Sequence, residues 1–419
     1  MRPQSVDSVV MPASIGWAVS GTRLPRQVSA RAARPAALRP ETGGTPDARQ
    51  PPETLGGHAA RQLLRLCETT GLGAPDSVAY AQTLLTALGP AAERSLALPP
   101  AYPSLLSDDH TPVEFSLSCT PDADPTLRVL LEPGYGAGGT AANGRAGLAA
   151  VRGMARRWGF DTARLDELED LFFPPSPQGP LALWCALELV PGGIPKVKVY
   201  LNPAASGRER STTTVREALR RLGHDRAYAS LPRGDRPLFF ALDLGDWDEP
   251  RVKVYLAHHE LTGAEAAGLS RVPGGPARAE VEGFFAAAAG SGADGGPGGG
   301  PRLRRRPVQS CHAFTETAAG RPSGFTLYVP VRDYARHDGE ALDRALAVLE
   351  RQGIDPGPLL RSLAAVTSRR LQDGVGLIAY LGLAHQEGRS PRVTAYLSSE
   401  AYAVRPPVRS PQTSRSSRR

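Results

Sequence analysis

Lysine is nearly absent from this chain of 419 residues: of 49 basic residues only Lys196, Lys198 and Lys253 are lysine. Also missing is any apolar run of about 18 residues, so no membrane-spanning helix and no membrane partner are expected. Cysteine is scarce. Cys67, Cys119, Cys185 and Cys311 lie far apart without metal-ligand spacing; they read as reduced, buried thiols of a cytoplasmic protein. No apolar stretch follows the first arginines, which excludes a secretory signal. Aspartate-rich metal motifs are lacking too. Asp108-Asp109 is the one pair of adjacent aspartates and stands beside a turn, so no metal site is assigned.

Acid is short at the two ends. Residues 1–50 hold seven arginines against Asp7, Glu41 and Asp47, and residues 405–419 hold five arginines and no acid. Without these segments 37 basic and 39 acidic residues remain, so the net charge of +7 belongs to the ends. A nucleic-acid partner is therefore not indicated. The Pro/Arg/Ala leader (1–50) and the Ser/Arg/Pro tail (405–419) read as disordered and dispensable. One domain is expected over 51–404, interrupted by a flexible Gly/Arg loop at 290–307. Its Arg302, Arg304, Arg305 and Arg306 read as a solvated charge run.

What is present is a repeat of paired strands. Strand-like runs with short turns occupy 113–119 with 127–132, 181–190 with 196–202, and 237–244 with 251–257. Two more pairs follow at 308–316 with 324–331 and at 375–384 with 392–398. Helical patterns lie between them at 143–160, 212–223 and 340–353, and two precede the first pair, near 56–70 and 76–95. Strands arriving in pairs are antiparallel hairpins, because a parallel sheet needs a crossover after each strand. Ten such strands suggest an α+β fold in which one closed antiparallel barrel sits inside a ring of helices, with no exposed edge. In KVKVYLNP, Lys196, Lys198, Tyr200 and Asn202 share one face and Val197, Val199 and Leu201 the other. RVKVYLAHH repeats the division with Arg251, Lys253 and Tyr255 against Val252, Val254 and Leu256. If the apolar face meets the helices, the lumen is charged and aromatic, a binding chamber rather than a packed core.

A chain that favours arginine so strongly, yet places all its lysines in two matching strands, needs an ammonium there. Lys198, Arg251 and Lys253, with Arg128 from LRVLLEP, put a cluster of cations on inward faces. Such a cluster suits a polyanion of the size of a diphosphate and stabilises the charge that builds when it departs. Tyrosines recur at matching positions: Tyr200, Tyr255, Tyr328 and Tyr396 on second strands, and Tyr380 on a first strand. Their faces can stabilise a carbocation and keep water from it. Glu114, in TPVEFSLS, is a lone carboxylate opposite Arg128 across the first hairpin. It either accepts a hydrogen bond from a substrate N–H or merely pairs with an arginine. GYGAGG (134–139) lacks the residues of a phosphate loop and reads as a hairpin-to-helix turn. His258-His259-Glu260 point to different faces of a strand and read as structural rather than metal-binding.

The motifs TPVEFSLS, LRVLLEP, KVKVYLNP, RVKVYLAHHE, LYVPVRDY and VTAYLSSEAY resemble the bacterial branch of the dimethylallyltryptophan synthase family of indole prenyltransferases, over about residues 55–404. The resemblance implies the ABBA barrel. It implies transfer of a dimethylallyl group from dimethylallyl diphosphate to the indole of L-tryptophan, carbon 6 favoured, without a strict need for metal. Glu114 would bind the indole nitrogen, Arg128, Lys198, Arg251 and Lys253 the diphosphate, and the five tyrosines would shield the cation. Trp184 and Asn202 would line the acceptor pocket. The chain departs from the family where a lysine, taken as the base for the arenium proton, often precedes KVKVY; LALWCALEL offers Trp184 or Cys185. Thr326 stands where glutamine is frequent, and Asn202 where tyrosine is. A tryptophan-containing cyclic dipeptide or another aromatic acceptor remains open, as does a non-catalytic barrel that binds an anionic aromatic metabolite.

Overall fold

A computed structural model describes residues 53–179, 181–245, 251–290 and 302–408. Ten strands form one closed antiparallel barrel in which each strand pairs with its sequence neighbours and the last returns to the first. They run β1 Val113–Thr120, β2 Ala123–Leu131, β3 Leu183–Glu188, β4 Lys196–Leu201 and β5 Arg236–Leu244. The second half is β6 Val252–His258, β7 Val308–Phe314, β8 Gly324–Val329, β9 Ile378–Gln386 and β10 Arg392–Ser398. The expected hairpins and closure are therefore present. The principal helices are α1 Leu55–Thr69, α2 Ala74–Leu88, α3 Thr140–Trp158, α6 Ser211–Arg221, α9 Arg278–Ala289, α10 Asp338–Arg351 and α11 Gly357–Val366. Four short helical segments complete the numbering: α4 Ala163–Asp166, α5 Glu169–Phe172, α7 Ala227–Ser230 and α8 Gly263–Ala267.

The period-two pattern decides which face of the sheet is dry. Val197, Val199 and Leu201 of β4 and Val252 and Val254 of β6 enter the same buried cluster as the inner faces of the helices. In α6, Val215, Ala218 and Leu219, followed by Leu222, recur at helical spacing and bury one stripe facing β5. Full burial of each such valine or leucine side chain is worth about 1.5–3 kcal/mol. The main core is thus the layer between barrel and helices, and the lumen is left free for polar residues. Helix starts are fixed locally: Thr262 and Glu265 form a capping box at α8, and Thr54 caps α1 by accepting from the Gly57 N–H at 3.1 Å.

GYGAGG is the expected turn between β2 and α3. Gly134 there has φ +79°, and a Cβ on it would meet the Asn143 carbonyl at 2.6 Å, so no side chain fits. His258 donates or accepts at Ser310 Oγ, 2.8 Å away, and His259 pairs with Asp235 at 2.7 Å, both structural contacts.

Two boundaries differ from expectation. The leader (1–50), the tail beyond 408 and residues 291–301 of the Gly/Arg loop lie outside the described residues. The described part of that loop is not a solvated charge run: Arg306 bridges Asp108 and Asp333, and Arg305 sits over the Tyr334 ring. The tail does not begin at 405 either. The Arg405 carbonyl accepts from Val375 at 3.0 Å, its guanidinium reaches Asp108 at 3.2 Å, and the Val408 N–H donates to the Arg336 carbonyl at 2.8 Å. A chain ending at Val408 should therefore unfold at a higher temperature than one ending at Val404; equal midpoints in thermal denaturation would contradict this.

Candidate active site

All even-numbered strands run in one direction through the barrel, so residues at equal positions in their repeats sit at equal depth. Lys196-Val-Lys198-Val-Tyr200 on β4 matches Arg251-Val-Lys253-Val-Tyr255 on β6. Gly324-Phe-Thr326-Leu-Tyr328 on β8 and Arg392-Val-Thr394-Ala-Tyr396 on β10 follow the same scheme. β2 continues it as Thr126-Leu-Arg128-Val-Leu130, with leucine in the tyrosine position. Each step of two residues moves about 7 Å along the strand. The lumen is therefore layered, with cations at one end and tyrosines in the middle.

At the cationic end a cavity of about 360 Å³ is lined by seven basic side chains, Arg128, Lys196, Lys198, Arg251, Lys253, Arg389 and Arg392, against Glu188 and Asp243. The two acids are heavily used. Glu188 accepts from Arg128 at 2.9 and 2.6 Å and from Lys196 at 2.8 Å. Burial would raise its pKa, but Arg128 and Lys196 outweigh burial and hold it at about 2. Asp243 lies 3.4 Å from Lys198 Nζ and 2.5 Å from Arg251 Nη2, and these cations with Lys253 depress its pKa against the effect of burial. Lys253 and Arg392 have no hydrogen-bonded or ion-paired partner among the described residues. Burial, then repulsion from Lys198, pulls the Lys253 pKa well down; burial, then Arg128, lowers that of Arg392.

The tyrosine layer is continuous. Ring centroids step from Tyr200 to Tyr255 at 5.7 Å, to Tyr328 at 5.9 Å, to Tyr396 at 5.8 Å and to Tyr380 at 6.5 Å. Tyr200, Tyr255, Tyr328 and Tyr396 line both the cationic cavity and a second one of about 250 Å³ beyond them. That second chamber is walled by Leu106, Leu130, Trp184, Phe239 and Tyr380, with Glu114, Gln309, Arg306 and Arg332 as its polar groups. Trp184 and Phe239 pack with centroids 5.1 Å apart. Beside the Trp184 indole, with Ser104 and Asn143, lies the buried Glu132, whose pKa burial raises to about 7.

Glu114 is 5% exposed. Its register partners are Leu130 and Ser398, whereas Arg128 lies opposite Ser116 and Glu188. It does not stand opposite Arg128 as the hairpin pattern suggested; it faces the second chamber, without an ion pair among the described residues. Burial drives its pKa up to about 7 in spite of the nearby Arg332 charge. Asn202 is a second correction. Its Nδ2 donates to the carbonyls of Gln178 and Leu181, both at 3.1 Å, and its Oδ1 accepts from Ala204. It ties down a loop and is absent from the acceptor-chamber wall. On β3, Trp184 points inward, Cys185 is buried in the outer core, and the residue facing Lys198 is Ala186.

The sequence pattern marks no role for Arg392, Arg389 or Arg332, and Arg306 and Asp108 read there as a solvated charge and a turn residue. For Arg392 a signal existed, since RVTAYL repeats RVKVYL with the cation in the same place. Arg306, Arg332 and Asp108 come from three separate segments that no local pattern connects.

Residues 78–271 match the family model described as tryptophan dimethylallyltransferase. The chain is 63% identical to 5-dimethylallyltryptophan synthase from Streptomyces coelicolor, over 84% of this chain and 99% of that one, with a TM-score of 0.81. It is 58% identical to the prenyltransferase PriB, solved with L-tryptophan and dimethylallyl thiolodiphosphate, over 85% and 99% of the two chains, TM-score 0.81. Against 6-dimethylallyltryptophan synthase from Micromonospora olivasterospora, solved with the same pair of ligand types, identity is 43% over 85% and 100%, TM-score 0.76. With closure, layering and these likenesses in agreement, the chain belongs to the tryptophan dimethylallyltransferase family and has its ten-stranded ABBA barrel.

Proposed function

We propose that this enzyme prenylates the indole ring of L-tryptophan with dimethylallyl diphosphate. The observation that carries this is the two-chamber lumen, cationic on one side of a tyrosine belt and aromatic with one carboxylate on the other. Arg128, Lys198, Arg251 and Lys253, joined by Arg392, hold the diphosphate directly and stabilise the charge it gains as its carbon–oxygen bond breaks. The dimethylallyl cation forms within the belt of Tyr200, Tyr255, Tyr328, Tyr380 and Tyr396, each desolvated face contributing about 1–2 kcal/mol. Trp184 and Phe239 flank the acceptor ring while Glu114 accepts its N–H. A ring carbon bonds to the allyl carbon, and the arenium proton passes to the released diphosphate. Ala186 supplies no lysine for that step. Four free, buried cysteines support a cytoplasmic location.

Carbon 6 is the position favoured by the sequence resemblance; the 63% identity to a 5-dimethylallyltryptophan synthase supports carbon 5 as the second reading. Incubation with L-tryptophan and dimethylallyl diphosphate in EDTA should give a product heavier by one dimethylallyl group in place of one hydrogen. Proton NMR then reads the substituted carbon. No product in EDTA, with rescue by magnesium, would overturn direct cation binding.

Glu114→Gln should lower turnover by two to three orders of magnitude, about 3–4 kcal/mol, as for other preorganised electrostatic groups. Because burial raises this carboxyl to about 7, its anionic form is lost as pH falls through that value. kcat/KM for tryptophan should therefore decline below about pH 7 in the parent enzyme, and Glu114→Gln should lose that limb. An unchanged limb would assign it to another group.

Lys253→Ala should raise KM for dimethylallyl diphosphate at least about tenfold, the scale of one charge-assisted contact, and leave the tryptophan dissociation constant unaltered. Weakened tryptophan binding alone would place Lys253 with the acceptor.

A further inference from the structure

We propose that Arg332 is the receptor for the acceptor's carboxylate, and thereby selects a free amino acid over tryptophan whose carboxyl is tied up in an amide. The proposal rests on the reading of the second chamber as the indole site.

Arg332 sits on the single helical turn Val331–Asp333 that follows β8, at the wall of the acceptor chamber. It is 3% exposed, yet its Nε and Nη1 have no hydrogen-bond acceptor among the described residues. Asp108 Oδ1 is 3.5 Å from Nη1, too far for a hydrogen bond. That carboxylate is already engaged by Arg306 at 2.9 Å and Arg405 at 3.2 Å. Asp333, the other acid of the cluster, is bound by Arg306, with Arg405 3.5 Å away. Three guanidiniums share two carboxylates, and Arg332 is the one left short. A buried guanidinium with two nitrogens short of an acceptor is costly unless a ligand completes it.

The side chain is also held ready. Its Cζ lies 5.0 Å from the Tyr380 ring centroid, a cation–π contact that fixes the plane of the fork. Tyr380 is in turn held by Gln309, whose Nε2 donates to the phenol oxygen at 3.2 Å. A planar fork matches a carboxylate with two parallel hydrogen bonds. Glu114 does not fill this role: it forms no ion pair with Arg332 and keeps its oxygens for the indole N–H, although Arg332 is the strongest favourable charge it feels. A carboxamide or a cyclic dipeptide brings no negative charge and would leave the fork unpaired, the kind of mismatch by which buried polar groups reject analogues.

The test compares L-tryptophan, L-tryptophanamide and a cyclic tryptophan–glycine dipeptide on the parent enzyme, Arg332→Gln and Arg332→Lys. Dissociation constants come from calorimetry and kcat/KM from product formation. The parent should prefer L-tryptophan over the amide by about 100-fold, mostly in KM. Arg332→Gln should weaken L-tryptophan by a similar factor and leave the amide within about threefold, and Arg332→Lys should recover part of the loss. Equal losses for acid and amide would show a merely structural role and overturn the assignment, as would a parent enzyme that takes the amide or the cyclic dipeptide as well as the acid. The parent comparison decides even if a variant fails to fold. Failure of the parent to bind any of the three indoles would instead remove the reading of the chamber itself.

Discussion

The structure depends on keeping an excess of positive charge inside a closed barrel. Seven basic side chains meet two acids at one end of the lumen, and like charges about 5 Å apart repel by roughly 3 kcal/mol at an effective dielectric of about 20. Such a cluster cannot survive in a packed core. It is tolerated because the outward faces of the strands carry the apolar residues that fill the layer shared with the helices. Closure of the sheet supplies the rigidity, since each strand is fixed on both sides by hydrogen bonds. The interior then stays poorly neutralised: Glu188 and Asp243 absorb part of the charge, and Lys253 and Arg392 have no ion-pair partner among the described residues.

The tyrosine belt follows from the same geometry. Repeated strands of equal direction put the same residue type at one depth, so four tyrosines two residues inward from the cationic row become a collar. In the proposed reaction the diphosphate departs on one side of it; on the other lies the aromatic chamber with Glu114, whose pKa burial raises to about 7. In the proposed reaction a cation generated between them would face the π-systems of the collar. Leu130, in the tyrosine position of β2, opens the collar towards Glu114.

Much of this was legible in the sequence because the signals are periodic. The alternation in KVKVYL and RVKVYL displayed both faces of the barrel, and the confinement of lysine to those strands marked the cationic end. The hairpin pairing displayed ten antiparallel strands. Register across a hairpin was less accessible: Glu114 and Arg128 are neighbours on paper but opposed to Leu130 and Ser116 in the sheet, because the turn length that sets register is not visible in the alternation. Asn202 shares the face of Tyr200, but it lies past the end of β4, where the chain bends and its amide is consumed by loop carbonyls. The Asp108–Arg306–Arg332–Arg405 cluster was invisible for another reason. Its members are brought together only by tertiary packing.

The central claim is that the lumen cations stand under-neutralised for a diphosphate that they bind without a bridging metal. Thermal unfolding with and without inorganic diphosphate, in magnesium-free buffer containing EDTA, tests it most directly, because a ligand at about 100 times its dissociation constant adds about 2.7 kcal/mol of stability. The midpoint should rise for the parent protein and for Glu114→Gln, and the rise should shrink sharply in Lys253→Ala and Arg392→Ala. No rise without magnesium, or an equal rise in all four proteins, would contradict the account.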